Sequence, residues 1–540
     1  ASAANRFAAL AAERLKQLYR NEDLRLTLLA VAIGAAAAYA AIGFRWLISA
    51  IQWVAFHEHS EKLATAASHL PWWQLLLAPA VAGLVVGALV RWGMTARRPQ
   101  AVADVIEAAQ LHGGRMSLRE GLKATVISAI SIGGGASVGR EGPAVLLGAA
   151  IASGFGKWLK MSPGLVLTMV GCGVGSAIAA SFNAPIAGAL FALEVVIGHY
   201  RLRAFAPVVI ASVTGTVISR AVYGDFPAFI KPHYDIASFW ELPAFALLGI
   251  ACAIAAMVLM ALVIHGSRQA SRIPGPVWLR PAYAGLLVGV IALAFPQVLG
   301  VGYEATDTAL KGGFGLWLLV ALALAKTIAT AISLAGGFGG GIFSPSLVLG
   351  ALVGGAFGIV ATSLFPELSS GKEAYTLVGM GACAAAVLGA PISTILIVFE
   401  LTGDYAITIA VMVAVVIATL ITQTFLGKSF FTWQLAERGM DPTIDAETRL
   451  MRSTHMHDLM TDTYATVKID APLDEVREKL AEAPHEKLFV TQDGRYAGVI
   501  ALGELYGFAY GGGDAEMSVE ALIDREAPTL TRESSLEAAV

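Results

Sequence analysis

The 540 residues of the chain are 56% hydrophobic and only 14% charged, with a net charge of −3. Soluble proteins carry roughly 25% charged residues, so the composition excludes an ordinary soluble domain and predicts a membrane protein with many spans. The residues from Asp441 onward include 20 acidic and 9 basic side chains, which is a marked change of composition. This change predicts a domain boundary near Asp441. Neither part is basic enough to favour nucleic-acid binding.

The N-terminal segment, residues 1–25, contains five arginine and lysine side chains. It predicts an amphipathic helix on the cytoplasmic surface of the membrane, because positive residues are retained on that side. No cleavable signal pattern is visible in it. The three cysteines, Cys172, Cys252 and Cys383, lie far apart in apolar runs. They therefore predict small buried residues rather than a disulfide framework or a metal site.

Fourteen apolar runs follow, and several are shorter than the ~20 residues that cross a bilayer as a helix. Broken helices at membrane depth are tolerated only where they are buried in protein or line a cavity, and they are typical of transporters built from repeats. The runs lie at residues 26–54, 73–92, 121–138, 144–160, 165–181, 184–198, 205–223, 240–265, 281–299, 315–335, 345–365, 375–389, 391–402 and 406–426.

Two parts of this apolar region carry the same features in the same order. Each has Pro-x4-Gly at a predicted helix start, then a glycine-rich turn, then Ala-Pro-Ile, then a glutamate nine residues after that proline. The features are Pro143, Gly148, Gly171–Gly175, Ala184–Ile186 and Glu194, matched by Pro345, Gly350, Gly379–Cys383, Ala390–Ile392 and Glu400. They predict two homologous repeats, at residues 26–222 and 240–435. The sequence does not decide between parallel and inverted repeats, but anion-directed helix starts that meet at the midplane favour inversion.

The first helix start follows the glycine-rich stretch Ser131–Pro143. Pro143 suits a first helical position, and the glycines let the backbone approach a ligand. The N–H groups of a first helical turn have no helical partner, so together with the helix dipole they form an anion site. Glu141 either competes with an anion there or carries a proton and leaves the site. The alternative is a kink in which Arg140 and Glu141 pair, but an ionisable group at membrane depth indicates function.

The second helix start, Gly336–Pro345, repeats this pattern without an acid. The backbone N–H groups of Ile342 and Phe343 could contact an anion without neutralising it, and such weak ligation suits conduction because the ion must also leave. The alternative is a packing motif for helices that cross closely. The duplicated frame favours the anion site.

Gly139-Arg-Glu-Gly-Pro143 and Gly341-Ile-Phe-Ser-Pro345 together resemble the signature motifs of the CLC family of chloride channels and chloride/proton antiporters. The resemblance covers about residues 25–435. It implies an all-α polytopic membrane fold with an inverted repeat, and a homodimer with one anion pathway per subunit and a dimer interface near Pro185 and Pro391. It also implies that Glu141 is the gate and the proton-transfer group. The anion sites would then be formed by Gly139, Arg140, Gly142, Gly341, Ile342 and Phe343.

Three positions depart from the family pattern. Gln100 stands about where a serine hydroxyl contacts the central anion, and Phe431 stands in place of a tyrosine that contacts the same anion. Each lost hydroxyl removes a donor worth about 1 kcal/mol, so we expect weaker central anion binding. Antiporters of the family commonly carry a second glutamate directly after the position of Glu194, and here Val195 replaces it. Whether chloride transport is coupled to proton transport therefore stays an open question.

Residues 456–540 resemble a CBS region, a small α/β domain. The pattern is βαββα: a polar–apolar alternation after Met460 predicts the first strand, and a helix at Leu473–Ala481 follows it. Strands at Leu488–Val490 and Ala497–Ala501 are joined by the hairpin signal Asp493-Gly494, and a last helix starts at Gly503. A second CBS motif begins at Met517, and the sequence ends at Val540 partway through it, so we expect this second motif to be incomplete. CBS modules work as pairs and often bind adenine nucleotides. Two roles for this region stay open: a nucleotide sensor and a domain that only supports the dimer.

The resulting hypothesis is a chloride transporter, with proton-coupled antiport preferred. The alternatives are a passive, pH-gated chloride channel and a membrane-bound anion sensor with a CBS output domain. An enzyme is not expected, because no Ser/His pair, HExxH motif or metal-spaced histidine cluster occurs. No cofactor or metal is expected, apart from the adenine nucleotide that the CBS region would bind if it is a nucleotide sensor. The expected partners are chloride, protons, a second copy and the lipid bilayer of a bacterial-type inner membrane, with the N-terminus and the CBS tail cytoplasmic.

Overall fold

The computed structural model describes residues 22–58, 63–200, 202–224, 239–272, 274–440, 451, 454–483, 486–503, 519–527 and 529–539. The chain divides into two compact units, residues 1–442 and 443–540. The first unit is helical in its described part, and the second contains a three-stranded sheet. The N-terminal helix predicted at residues 1–25 lies outside the described residues, except for the last four, which belong to the first long helix.

The described helices of the first half are α1 (Glu22–Phe56), α2 (Leu63–Ala67), α3 (Trp72–Gly93), α4 (Val102–Leu111), α5 (Leu118–Gly133), α6 (Glu141–Trp158), α7 (Pro163–Phe182), α8 (Pro185–Phe191, continued by a π-helical turn at Ala192–Ile197) and α9 (Leu202–Tyr223). Those of the second half are α10 (Leu242–Arg272), α11 (Arg280–Ala294), α12 (Tyr303–Leu310), α13 (Leu316–Ala335), α14 (Phe343–Leu364), α15 (Lys372–Leu388), α16 (Pro391–Thr402), α17 (Tyr405–Leu426) and α18 (Phe430–Ala436).

Nine helices of the described chain are long and apolar enough to cross a membrane. The helices that begin at Pro185 and Pro391 are apolar but too short to do so alone. Four short helices of the described membrane unit, α2, α4, α12 and α18, were not among the predicted apolar runs. All four are too short to give a membrane-length apolar signal, and α4 also carries Asp104 and Glu107 in its ten residues.

The two halves repeat one helix arrangement, as the duplicated sequence predicts. In the first half α1 packs against α7 and α9, and in the second half α10 packs against α15 and α17. Helices α6 and α7 cross so closely that a Cβ added at Gly148 would lie 2.4 Å from the carbonyl oxygen of Gly173. The stretches Gly171–Gly175 and Gly379–Cys383 were predicted as turns, which is wrong: they lie inside α7 and α15. Their small residues allow these close helix crossings.

The repeated glutamates join the two halves through reciprocal caps. The Glu194 carboxylate accepts hydrogen bonds from the backbone N–H groups of Ile392 and Ser393, at 3.1 and 2.8 Å, at the start of α16. The Glu400 carboxylate does the same for two N–H groups at the start of α8, at 2.9 and 2.7 Å. Each half therefore satisfies the unpaired helix start of the other. Because equivalent residues make equivalent contacts, a local twofold axis relates the two halves.

The second unit has the predicted strand–helix–strand–strand order. Helix α19 (Met456–Leu459) precedes β1 (Ala465–Lys468), α20 (Leu473–Glu482), β2 (Lys487–Gln492) and β3 (Arg495–Ala501). Strand β1 is parallel to β2, and β2 is antiparallel to β3. The Asp493-Gly494 hairpin turn has positive φ angles of 49° and 74°, as its sequence predicts. The last predicted helix was expected to start at Gly503; Leu502 and Gly503 are helical, and residues 504–518 lie outside the described ranges.

We expect Glu194→Ala and Glu400→Ala each to destabilise the membrane unit by about 1–2 kcal/mol, because each removes a carboxylate cap from a helix start. Thermal unfolding of the purified protein in detergent measures the loss. The two variants should behave alike, because the caps are equivalent. The exposed Glu367 provides the control, Glu367→Ala, which should unfold at the native temperature. Native unfolding temperatures for both cap variants would contradict the reciprocal caps.

Candidate functional site

The two glycine-rich motifs meet in the interior of the membrane unit. The Gly139 N–H donates to the Gly341 carbonyl at 2.7 Å, and the Gly341 N–H donates to the Gly139 carbonyl at 2.8 Å. This is an isolated antiparallel bridge between equivalent positions of the two repeats. The two segments therefore run in opposite directions where they meet, which is the geometry of an inverted repeat. We call this meeting of the α6 and α14 starts the junction.

Helix α6 begins at Glu141 with Arg140 as its N-cap residue, and α14 begins at Phe343 with Ile342 in that position. Both signature prolines are thus third in their helices, although we predicted the first position. A proline is tolerated there for the same reason, since no first-turn N–H has a helical acceptor. The buried N–H groups of Gly142, Ile342 and Phe343 donate to no acceptor within the described chain.

Glu141 is completely buried at the junction. Its Oε1 accepts a 2.6 Å hydrogen bond from the Tyr303 hydroxyl, and its Oε2 accepts a hydrogen bond from the Ser344 hydroxyl. The Arg140 Nε atom lies 3.8 Å from Oε1. Since Ser344 is the second residue of α14, the carboxylate of the first repeat lies at the helix start of the second. A negatively charged group therefore lies where the unpaired N–H groups favour an anion.

Sequence reasoning missed two of the residues that hold Glu141. Ser344 lies inside a recognised motif, but only the fold brings its hydroxyl to the other repeat. Tyr303 begins α12, and no motif marks it. The Arg140 guanidinium lies 4.7 Å from the centre of the Tyr303 ring, as a cation–π contact. The buried amine of Lys326 donates to two carbonyls of the preceding loop, those of Val298 and Gly300, each at 3.0 Å.

A cavity of about 260 Å³ lies beside Arg140 and Tyr303. Arg45 also lines it, and so does Glu304. The Glu304 carboxylate accepts hydrogen bonds from backbone N–H groups at the start of α2, at 2.7 Å from Ala64, so its charge is directed toward that helix. Two arginines in its lining favour anions in this cavity.

The remaining two predicted anion-site residues lie on other elements. Gln100 is half-buried, one residue before the N-cap Ala101 of α4. The first residue of α4, Val102, lies beside Gly142: a Cβ added to Gly142 would be 3.6 Å from the Val102 side chain. Phe431 is buried in α18 next to Phe430, with ring centres 6.0 Å apart. No hydrogen bond of the described residues links Gln100 or Phe431 to the junction. Within the described ranges, no three His, Cys, Asp or Glu side chains lie close enough to hold a metal ion.

Since the family resemblance implies that Glu141 blocks the anion pathway, we expect Tyr303→Phe and Ser344→Ala each to speed anion flux by about tenfold or more at neutral pH, because each removes a hydroxyl donor from the Glu141 carboxylate. A hydrogen bond to a charged group contributes about 1.5–3 kcal/mol. Its loss should also shift the pH dependence of flux upward, since the charged form of Glu141 is stabilised less. Chloride efflux from proteoliposomes over a pH series measures both effects. Tyr283→Phe, at an exposed position on α11, is the matched control. An unchanged pH dependence in both variants would contradict this account of how Glu141 is held.

Two family models match the chain. The model described as voltage gated chloride channel matches residues 82–423, and the CBS domain model matches residues 456–509. Both matches fall within the two units of the structure.

Several curated proteins are similar in sequence. A protein of Ralstonia nicotianae named as a ClcB-like chloride channel protein is 34% identical over 417 residues, which cover 76% of this chain and 96% of the relative. The chloride channel protein CLC-f of Arabidopsis thaliana is 36% identical over 272 residues, 47% of this chain and 35% of the relative. The H(+)/Cl(−) exchange transporter ClcA of Vibrio cholerae is 29% identical over 277 residues, 50% of this chain and 59% of the relative. The chain thus spans nearly all of the first relative and smaller parts of the other two.

Solved structures share the fold. A slow cyanobacterial Cl−/H+ antiporter superposes with a TM-score of 0.70 at 21% identity, covering 77% of this chain and 98% of the other. A eukaryotic CLC transporter superposes with a TM-score of 0.67 at 17% identity, covering 96% of this chain and 92% of the other. The helical inverted-repeat unit and the small α/β tail domain predicted from the sequence are therefore confirmed. With the family model matching most of its membrane unit, the chain belongs to the voltage-gated chloride channel family, the CLC family, and carries a CBS domain after its membrane unit.

Proposed function

We propose that the protein exchanges chloride for protons across a membrane, with Glu141 as the gate and the proton-transfer group. The observation that carries the proposal is the location of the Glu141 carboxylate, buried at the junction on the hydroxyls of Tyr303 and Ser344. The name of the Vibrio relative, an H(+)/Cl(−) exchange transporter, supports the same reaction.

The physical basis of coupling is competition for one site. A carboxylate and a chloride ion repel each other strongly in a buried, low-dielectric place, so the junction holds one or the other. Protonation removes the charge of Glu141 and weakens its hydrogen bonds from the two hydroxyls, because charge-assisted bonds are about twice as strong as neutral ones. The neutral side chain then leaves and chloride takes its place beside the free N–H groups. Proton binding and chloride binding thereby become linked events.

The inner part of the pathway differs from the family pattern in a way that weakens anion binding. By resemblance to the family, Gln100 and Phe431 replace two hydroxyl donors of the central site. We therefore expect low chloride affinity there, with Gly139, Arg140, Gly142, Gly341, Ile342 and Phe343 as the remaining lining.

A dimer and an orientation complete the proposal. Helices α8 and α16, which the reciprocal caps tie together, expose Ile186 at 51% and Ile392 at 45% of their surfaces. Exposed apolar side chains on two short helices suit contact with a second copy. We place the N-terminus and the tail on the cytoplasmic side, where an adenine nucleotide is the ligand that the CBS resemblance implies.

A passive, pH-gated chloride channel is the second candidate. Val195 favours it, because this residue cannot carry a proton where antiporters of the family commonly have an acid. The name of the Ralstonia relative, a chloride channel protein, points the same way. A channel would pass chloride with the same Glu141 gate but would move no protons against their gradient.

Glu141→Gln tests the gate, because glutamine has nearly the shape of the protonated acid and does not titrate. The variant should keep chloride flux, lose the acid stimulation of flux and move no protons. Chloride and proton fluxes recorded from the same proteoliposomes measure all three. Glu367→Gln, at an exposed position, should behave as the native protein.

Two results would count against the proposal. Proton flux or full pH dependence in Glu141→Gln would remove Glu141 as the gate. Native protein that passes chloride without any proton movement would instead support the channel.

A further inference from the structure

A second cleft, of about 360 Å³, opens between α10, α11 and α13. None of its lining residues hydrogen-bonds to Glu141 or lines the cavity beside Arg140. Most of the lining is apolar, with Leu262, Leu287 and Ile328 as its large members, and the polar side chains are those of Gln269, Arg280 and Tyr283. The cleft is therefore a separate, mainly apolar site with a cation in its wall.

The cleft is closed on its inner side and open toward the surface that a bilayer would cover. A Cβ added at Gly336 would lie 2.2 Å from the Cβ of Ala284, so α11 and α13 are in direct contact at the floor. Small residues permit such close approach of helices. At the opening, Leu262, Leu287 and Ile328 are between 42% and 53% exposed. An apolar groove of this form suits a hydrocarbon chain.

Arg280, the first residue of α11, holds a fixed guanidinium in the cleft wall. Its Nη2 donates to the Ser271 carbonyl of α10 at 3.2 Å. Its Nε is buried and has no hydrogen-bond partner among the described residues. Buried N–H groups nearly always have an acceptor, and a guanidinium donates best to the oxygens of a phosphate or a carboxylate. The cleft thus presents a donor whose matching acceptor is an anionic oxygen.

The charge around the cleft is positive. From Leu242 to Ala294 the sequence contains no Asp or Glu, and it contains three arginines, Arg268, Arg272 and Arg280. The Arg268 Nε donates to the Glu437 carboxylate at 2.8 Å. The Arg272 Nη1 lies 3.4 Å from the Oε1 of Gln269, at the rim of the cleft. Within the described ranges, neither Arg272 nor Arg280 has an ion-pair partner, so both charges are available to an anionic ligand.

Aromatic residues place Arg280 at the level of lipid headgroups. The rings of Trp92, at the end of α3, and Trp278, two residues before Arg280, lie 5.7 Å apart. Tryptophan is enriched where the membrane meets water. The end of α18 lies at the same ends of the helices, through the pair of Arg268 with Glu437, and we have proposed this side as cytoplasmic. Basic pockets between helices on that side are typical sites for anionic lipid headgroups.

We propose that the cleft binds one anionic phospholipid per subunit. An acyl chain lies along Leu262, Leu287 and Ile328, and a phosphate oxygen accepts the Arg280 Nε–H, with Arg272 near the headgroup. A zwitterionic phospholipid has the same chains, but it would bring its own cation beside these two arginines. The site therefore selects by net headgroup charge. This inference is independent of the proposed exchange of chloride for protons.

The test titrates the purified protein in detergent with dioleoyl phosphatidylglycerol or dioleoyl phosphatidylcholine. Thermal unfolding at each lipid concentration gives the apparent affinity, because a ligand of the folded state raises the unfolding temperature. We expect the anionic lipid to bind at least tenfold more tightly. Arg280→Gln should weaken its binding by about tenfold or more, since a charge-assisted hydrogen bond is lost. The matched control is Arg119→Gln, at an exposed position on α5, which should bind as the native protein does.

Three outcomes would overturn the site: equal stabilisation by the two lipids, undiminished affinity for phosphatidylglycerol in Arg280→Gln, or equal stabilisation by inorganic phosphate, which has no chain. Native mass spectrometry provides a second measurement, with one phosphatidylglycerol retained per native subunit and none in Arg280→Gln. Should Arg280→Gln not fold, Ile328→Trp decides, because a larger ring on the exposed wall fills the path of the chain. A tenfold loss of phosphatidylglycerol affinity in that variant supports the site, and an unchanged affinity contradicts it.

Discussion

The antiparallel pairing of Gly139 with Gly341 is the contact on which the site depends, because it brings two helix starts together inside an apolar protein. Unpaired N–H groups buried there would cost several kcal/mol if nothing accepted from them. Water is scarce at this depth, so a negatively charged group is favoured. In the resting protein this group is the Glu141 carboxylate. When Glu141 leaves the junction, a transported anion can take its place. The same physical demand thus accounts for both the resting state and the binding of the ion.

The carboxylates that lie at these helix starts are held in two different ways. At the starts of α8 and α16, Glu400 and Glu194 accept directly from backbone N–H groups of the opposite half. At the junction, the Glu141 carboxylate is instead held by two side-chain hydroxyls. A hydroxyl can turn to another acceptor when the carboxylate leaves, whereas a backbone N–H of a packed helix cannot. The caps are therefore suited to permanent contact between the repeats, and the junction to a group that exchanges with an anion.

The features that depend on residues close together in the sequence could be predicted. The repeats, the long apolar helices and the hairpin at Asp493-Gly494 follow from periodicity and turn residues. The glycines of α7 were misplaced in a turn, because close helix crossings and turns select the same residue. The contact of Tyr303 with Glu141 could not be predicted, since it joins segments far apart in the chain. The hydroxyl of Tyr303 matters only because the fold places it 2.6 Å from Glu141.

The central claim is that the Glu141 carboxylate and the transported anion occupy the same place at the junction. Anomalous diffraction from crystals of Glu141→Gln grown in bromide tests it directly, because bromide is visible at the position that the carboxylate leaves. The account predicts a bromide peak beside the N–H groups of Gly142 and Phe343 in the variant, and none there in the native protein at neutral pH. A variant whose glutamine has left the junction without a bromide in its place would contradict the account.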